Sequence, residues 1–199
     1  MSAPDRSLPW AEYAKALTDP AHAREQPEAL DDLLVLDCSQ MNVAGLFASS
    51  ILAEFGATVI RVEPPGGDPA RQLSPDGIRH HGAGLGYLVE GRNKHHITLN
   101  LEVAEGRLLL RRLAAKADVL IETFRPGVMD GWGLGYRHLS AANPRLIYCA
   151  LYTYGHFGPR AGRGQPNADI TDQALSGVTF ISGFLPDGQI GRASCRERV

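Results

Sequence analysis

The chain has 199 residues, 44% of them hydrophobic and 21% charged, and its 20 basic and 22 acidic side chains leave a net charge of −2. This composition is typical of a folded globular protein of one domain, or one domain and part of another, and it excludes fibrous and disordered classes. The charge balance argues against nucleic-acid partners, and no apolar run approaches the ~18 residues of a membrane helix. We therefore expect a soluble, cytoplasmic protein with no nucleic-acid or membrane partner.

The predicted elements alternate along the chain. Residues 1–32 form a polar, weakly helical surface segment, and an apolar run over 33–37 then predicts a buried strand. A helix over 44–55 and a strand over 58–62 complete a βαβ unit, and a long loop follows over 66–85. Further strands are predicted over 96–101, 118–122 and 146–151, and helices over 105–116, 136–142 and 170–178. This alternation predicts an α/β fold, with a Rossmann-like, doubly wound and mostly parallel sheet.

Two helices show apolar residues at helical spacing. In the first they are Leu46, Phe47, Ile51, Leu52 and Phe55. In the helix over 105–116, residues Leu109, Leu110, Leu113 and Ala114 are expected to supply the inner stripe.

The last ten residues, 190–199, differ from the rest of the chain. Their sequence, IGRASCRERV, resembles the translation of a sequencing-library adapter and has no apolar periodicity. Segments of this kind are left out of fold reasoning. We expect the native sequence to be interrupted at Gln189.

Ligands of an open α/β sheet bind beyond the carboxyl ends of its strands. The first such turn carries one glycine, Gly45, where a dinucleotide fingerprint needs three, which disfavours NAD or FAD binding. Arg125 follows a buried strand and could pair with a phosphate, although a solvated loop arginine is the commoner case.

No metal site is predicted. His80 with His81 and His95 with His96 are adjacent pairs, whose members point to opposite faces when they lie on a strand, so we expect solvated or packed imidazoles. Cys38, Cys149 and Cys195 have unrelated spacings and make neither a disulfide framework nor a zinc motif.

An ordered set of short motifs carries a more specific signal. They are VLD at 35–37, AG at 44–45, LAEFGATVIRVEPPGGD at 52–68, RNK at 92–94, ITLNL at 97–101, ADVLIETFRPG at 117–127, GLGY at 133–136, NPRLIY at 143–148, GHFGP at 155–159 and QALSG at 173–177. In this order and spacing, from about residue 33 to 188, the chain resembles the class III CoA-transferases, the carnitine-dehydratase and bile-acid-inducible type that includes formyl-CoA-transferase-like enzymes.

The resemblance implies an acyl-CoA:carboxylate CoA-transferase with two domains, whose subunits interlock as a homodimer. In similar enzymes an aspartate attacks the donor thioester and gives a mixed anhydride, which the CoA thiolate converts to an aspartyl-CoA thioester before a carboxylic acid takes over the CoA. CoA and acyl-CoA are then substrates, and no cofactor is bound permanently. The expected regions are a surface segment over 1–32, an incomplete CoA-binding domain over 33–189 and the adapter-like residues 190–199.

The resemblance also places CoA contacts on three segments of this chain. These are Val43 with Ala44, then Leu99, Asn100 and Leu101, and finally Thr123, Phe124 and Arg125. The loop before Gly45 is one residue longer than usual, and Pro64 and Gly131 stand where basic residues are frequent. We therefore expect the missing phosphate contacts to come from Arg61, Arg71 or Arg163.

The nucleophilic aspartate of similar enzymes would lie beyond Gln189, so the chain as given is expected to be inactive. Asp169 matches a position where some relatives carry an acid, which leaves open a supporting role or simple capping of the helix that follows. Two alternative functions also remain open. A 2-methylacyl-CoA racemase of the same family would have a histidine where this chain has Ala168. A non-catalytic CoA- or nucleotide-binding module would bind CoA without turnover.

Overall fold

The computed structural model describes residues 7, 9–17, 27–74, 77–161 and 169–178. The helices there are α1 Trp10–Leu17, α2 Val43–Glu54, α3 Leu85–Glu90, α4 Ala104–Ala114, α5 Val128–Gly131, α6 Tyr136–Ala142 and α7 Asp169–Leu175, with a short 3-10 helix at Pro69–Gln72. The strands are β1 Leu34–Cys38, β2 Thr58–Glu63, β3 Arg79–His80, β4 Ala83–Gly84, β5 Lys94–Thr98, β6 Val119–Glu122 and β7 Ile147–Ala150. No helix within these ranges is long and apolar enough to cross a bilayer.

Five of the strands form one parallel sheet in the order β5-β2-β1-β6-β7. Leu36 in the central strand β1 lies opposite Ile60 of β2 and Leu120 of β6. Short apolar runs become such strands because both faces of a parallel sheet are covered by helices. Strands β3 and β4 form a separate antiparallel hairpin.

The two faces of the sheet carry separate cores. On one face Val35, Val59 and Ile121 pack with Ala53 of α2. On the other face the core combines residues of β1 and β6 with residues of α4, α5 and α6: Leu36, Leu120, Leu110, Ala114, Met129 and Leu139. Helices on both faces of a parallel sheet confirm the predicted α/β, doubly wound architecture.

The predicted strand over 96–101 is wrong at both ends. Strand β5 begins at Lys94, and its pairing with β2 ends where Thr98 lies opposite Glu63. Asn100 then turns the chain into α4, and the close packing of this turn is visible at Gly106, where an added Cβ would lie 1.9 Å from the Asn100 carbonyl oxygen. Pairing with β2, rather than the alternating pattern, therefore sets the limits of the strand.

The predicted loop over 66–85 contains regular structure. It includes the 3-10 helix at Pro69–Gln72 and the β3–β4 hairpin, and α3 begins at its end. Asp68 caps the 3-10 helix by accepting a hydrogen bond from the Ala70 amide at 2.8 Å. These elements are too short for a repeating apolar pattern to indicate them.

The predictions of which residues of these two helices face the core were only partly correct. In α4, Leu110 and Ala114 are buried as expected, but Leu109 is 46% exposed because the row that faces the sheet is Gly106, Leu110 and Ala114. Phe47 in α2 and Phe55, the residue after α2, are at least half exposed. The buried face of α2 consists mainly of small residues: Gly45, Leu46, Ser49, Ser50 and Ala53. This small-residue face lets α2 lie close to the sheet.

Candidate functional site

The strand order reverses between β1 and β6, which makes this the topological switch point of the sheet. Ligands of open α/β sheets bind in the crevice beyond the carboxyl ends of the strands at such a point. The loops that follow β1 and β6 are joined there by one side chain. The Gln40 amide donates to Thr123 Oγ1 at 3.0 Å, and the Thr123 hydroxyl donates to the Gln40 carbonyl at 3.2 Å. Thr123, a predicted CoA contact, thus fixes the distance between the two loops.

Helix α2 begins at this crevice. Asn42 caps it, because its Oδ1 accepts a hydrogen bond from the Gly45 amide at 3.1 Å. Val43 and Ala44, also predicted contacts, are exposed in the first turn. First-turn amides have no partner inside a helix, and the positive end of the helix dipole attracts anions. The N-terminus of α2 therefore offers a phosphate-binding position.

Gly45 allows this close packing. A Cβ at this position would lie 2.4 Å from Ser39 Cβ and 3.0 Å from Thr123 Cγ2. Only glycine leaves room for the first turn of α2 against both loops, so the single glycine noted in the sequence has a steric role.

The second predicted segment follows β5, two strands away from β1. Because neighbouring strands lie ~4.8 Å apart, the ends of β5 and β1 are separated by about 10 Å along the same edge of the sheet. The Leu101 side chain is buried in the core, and Asn100 Oδ1 accepts a hydrogen bond from the Glu102 amide at 3.0 Å. Leu99 is partly buried and packs against the same core. What this segment presents to a ligand is chiefly its backbone.

The third segment extends from the end of β6. The Phe124 amide donates to Glu122 Oε2 at 2.7 Å, and the Phe124 ring packs edge-on against Trp132 at a centroid distance of 5.3 Å. Arg125 is exposed and makes no ion pair with any residue in the described ranges. A rigid turn therefore presents a cation beside the crevice.

Glu122 is buried below this turn. Burial raises the pKa of Glu122 to about 7, although the hydrogen bonds that Phe124 and Tyr148 donate to it act to lower the pKa. His156 Nε2 lies 3.9 Å from Glu122 Oε1 and has no hydrogen-bond partner among the described residues. Burial also lowers the pKa of His156. Glu122 is thus a carboxyl group that titrates near neutrality.

A group of buried charged residues between the sheet and α2 was not predicted. Arg61 is fully buried, and its Nη1 donates to Asp37 Oδ2 at 2.8 Å while its Nη2 pairs with Asp68. Lys94 Nζ lies 3.4 Å from Asp37 and donates to Ser49 Oγ at 2.7 Å. Burial lowers the pKa of Lys94 to about 8. We call Asp37, Arg61, Asp68 and Lys94 the charge cluster.

Glu63 forms a second buried centre beside the charge cluster. Arg71 binds it through two hydrogen bonds, from Nε at 2.7 Å and from Nη2 at 2.8 Å, and Tyr87 and His96 also contact its Oε1. Burial alone would raise the pKa of Glu63, but the hydrogen bonds from these three side chains outweigh it and lower the pKa to about 2.

These contacts bear on the expected sources of phosphate contacts. Arg61 is buried and paired with two carboxylates, so that expectation is wrong for Arg61. Arg71 already donates to Glu63 from Nε and Nη2, and its Cζ lies over the Tyr87 ring, 4.8 Å from the centroid. Arg163 lies outside the described residues, as do residues 190–199. The sequence did contain a signal for the charge cluster. Asp37 and Arg61 each stand two residues after an inward-facing valine on a strand, and residues two apart on a strand lie on the same face of the sheet.

The other titratable candidates are also placed. Cys38 is buried, burial raises the pKa of its thiol, and both Cys38 and Cys149 are free. The rings of His80 and His81 meet edge to face in the exposed hairpin, whereas His96 contacts Glu63. No group of three or more metal-ligating side chains occurs in the part of the chain that the structure describes. Asp169 is the first residue of α7, and its role stays a prediction.

The chain matches the family model described as CoA-transferase family III over residues 30–194, and it belongs to that family. It is 41% identical over 169 residues to succinyl-CoA–D-citramalate CoA-transferase of Chloroflexus aurantiacus, covering 83% of this chain and 40% of that protein. It is also 41% identical over 160 residues to acetyl-CoA:oxalate CoA-transferase of Acetobacter aceti, covering 79% of this chain and 39% of that protein.

A similar solved structure is that of a CAIB/BAIF family protein from Brucella suis. It superposes with a TM-score of 0.75 at 38% sequence identity and covers 84% of this chain and 44% of that one. The resemblance and the fold inferred from the sequence are both confirmed. The chain spans about two fifths of the length of the curated relatives that it matches.

Proposed function

We propose that this chain is the CoA-binding part of an acyl-CoA:carboxylate CoA-transferase. The observation that carries the proposal is the switch-point crevice, where the N-terminus of α2 and Arg125 lie on two loops joined by Thr123. Both features favour phosphate, and CoA carries three phosphoryl groups. The backbone of Leu99, Asn100 and Leu101 continues this edge of the sheet toward β5. CoA binds there as a substrate and not as a permanent cofactor.

In the whole enzyme, an aspartate attacks the thioester carbonyl of the donor. The C–S bond breaks, CoA leaves as the thiolate, and the acyl group remains on the carboxylate as a mixed anhydride. Attack by the thiolate on the aspartyl carbonyl releases the donor acid, and the acceptor carboxylate then repeats the two steps in reverse. Because the relatives are named for succinyl-CoA or acetyl-CoA donors and for citramalate or oxalate acceptors, short acyl thioesters with small dicarboxylates are the first pairs to assay.

The first experiment is calorimetric titration of the 199-residue chain with CoA, adenosine 3′,5′-bisphosphate and NADH. We expect one CoA per chain, weaker binding of the bisphosphate and no heat from NADH. Binding of NADH without CoA would contradict the proposal and favour a dinucleotide enzyme. Turnover by the full-length protein, lost on replacement of its nucleophilic aspartate by alanine, separates a transferase from a non-catalytic binding module.

We also propose that the whole protein is a cytoplasmic homodimer. Large apolar side chains in several parts of the chain are strongly exposed, among them Trp10 at 76%, Ile147 at 64% and Phe157 at 91%. Exposed apolar surface of this kind marks interaction sites. Sedimentation equilibrium of the full-length protein is expected to give twice the monomer mass, and a monomer at micromolar concentration would contradict the dimer.

A further inference from the structure

Glu122 is a buried carboxyl group directly beneath the turn that carries Arg125. Its side chain is 1% exposed, and its Oε2 accepts a hydrogen bond from the Phe124 amide within that turn. A buried carboxylate is costly unless opposite charge and hydrogen bonds compensate it. The transfer steps proposed above leave this group unused, so its surroundings decide what it does.

The titratable groups that face Glu122 come from β1, β7, α5 and the loop after β7. They are Cys38, Tyr148, Cys149, Asp130 and His156. None of these five is a cation unless His156 takes a proton, and Asp130 adds a second negative charge. These surroundings favour the neutral, protonated form of Glu122.

His156 offers the protonated carboxyl group a hydrogen-bond acceptor. Its Nε2 is buried, lies 3.9 Å from Glu122 Oε1 and has no hydrogen-bond partner among the described residues. An O–H donor and a free imidazole nitrogen satisfy each other once they approach by about 1 Å. The His156 side chain is 26% exposed, so it also connects the buried carboxyl group to solvent. The Tyr152 ring meets the imidazole edge to face, with 6.1 Å between the centroids.

We propose that Glu122 and His156 share one proton, which the protein takes up from solvent when a phosphate-bearing ligand binds at the turn above them. The inference rests on the proposed function and adds a pH dependence to the same site. A ligand anion beside Arg125 brings negative charge close to Glu122, and charges that are partly buried are little screened. Protonation of Glu122 removes the repulsion and lets its O–H donate to His156 Nε2. By linkage, CoA then binds more tightly when Glu122 is protonated.

The test compares the 199-residue chain with its Glu122→Gln variant. Glutamine carries no charge at any pH, keeps a carbonyl oxygen for the Phe124 amide and supplies an N–H for His156. Dissociation constants for CoA are measured by calorimetry at about pH 6 and about pH 8.5, on either side of the Glu122 pKa of about 7. The 3′-phosphate of CoA itself titrates at about pH 6, and this effect cancels in the ratio of the two constants. The exposed Glu102→Gln is the matched control.

We expect parent and variant to bind CoA almost equally at the lower pH. At the higher pH the parent binds about tenfold more weakly than Glu122→Gln, which corresponds to a rise of about one unit in the pKa of Glu122 on binding. Titrations in buffers of different ionisation enthalpy should show proton uptake by the parent and by Glu102→Gln, and less uptake by Glu122→Gln.

His156→Phe tests the second member of the pair, because phenylalanine keeps a ring and removes the acceptor. We expect the pH at which CoA binding weakens to fall by about one unit, since the protonated carboxyl group loses a hydrogen bond. An unchanged or higher midpoint overturns the role of His156.

A ratio between parent and Glu122→Gln that does not change with pH overturns the inference while the proposed function stands, because CoA still binds. The same pH-dependent ratio for Glu102→Gln also overturns it, since only net charge would then matter. If neither the parent nor Glu122→Gln binds CoA at either pH, the proposed function fails and this inference fails with it.

Discussion

Arg125 is the side chain on which the proposed phosphate contact most depends. We expect Arg125→Ala to weaken CoA binding about tenfold, or by about 1.4 kcal/mol, because a charge-assisted hydrogen bond to phosphate is lost. The matched control is Arg112→Ala, an exposed arginine on α4, which should change the affinity little. Titration calorimetry at low and high salt checks the prediction, since screening should shrink the difference. Equal losses for both variants would mean that only net charge matters.

Glu122 makes the stability of the chain depend on pH. Its pKa rises from 4.5 to about 7 on folding, so between these values the folded state holds a proton that the unfolded state has lost. Stability therefore falls as pH rises from 4.5 to 7, and the full cost of the buried carboxylate remains above pH 7.

Glu122→Gln removes this titration and keeps a carbonyl oxygen for the Phe124 amide. We expect the variant to gain stability relative to the parent chain between pH 5 and pH 8, by at most about 3 kcal/mol. Urea unfolding at both pH values measures the gain, with the exposed Glu102→Gln as control. A gap between variant and parent that does not change with pH would show that Glu122 titrates normally.

At the scale of elements, the packing of α2 against the loops after β1 and β6 depends on Gly45. We expect Gly45→Ala to destabilise the chain by about 1–3 kcal/mol, because the methyl group would overlap Ser39 and contact Thr123. Gly131→Ala is the matched control, since an added Cβ there meets nothing within 4 Å. Chemical denaturation of both variants checks this. Equal stability of the two would mean that α2 shifts away from the loops without cost.

The elements also show how far sequence patterns reach. Helix α6 was predicted over 136–142, which are its observed limits, and α2 was displaced by one residue. Helix α3 was missed because six residues are too few to show a repeating apolar pattern. Leu109 was assigned to the core because periodicity does not tell which of two adjacent rows of side chains faces the sheet.

For the whole molecule, the sheet predicts an order of hydrogen exchange. Strand β1 is paired on both sides, and Val35 and Leu36 are fully buried, whereas β7 has one neighbour among the described strands and carries the exposed Ile147. We expect the amides of β1 and β6 to exchange slowest and those of β7 and the β3–β4 hairpin fastest. Exchange followed by mass spectrometry gives the order. Protection of β7 equal to that of β1 would mean that another segment pairs with its outer edge.

The sequence by itself determined the α/β class, the family and the three segments proposed to bind CoA, because short apolar runs and local motifs carry that information within a few neighbouring residues. Tertiary structure alone decided which charges are buried. Arg61, expected as a phosphate ligand, pairs instead with Asp37 and Asp68, and these partners lie 24 and 7 residues away in the chain. Burying a charge is tolerable only where opposite charges and hydrogen bonds converge on it. That convergence is a property of the folded arrangement of β1, β2 and α2, and no local stretch of sequence contains it.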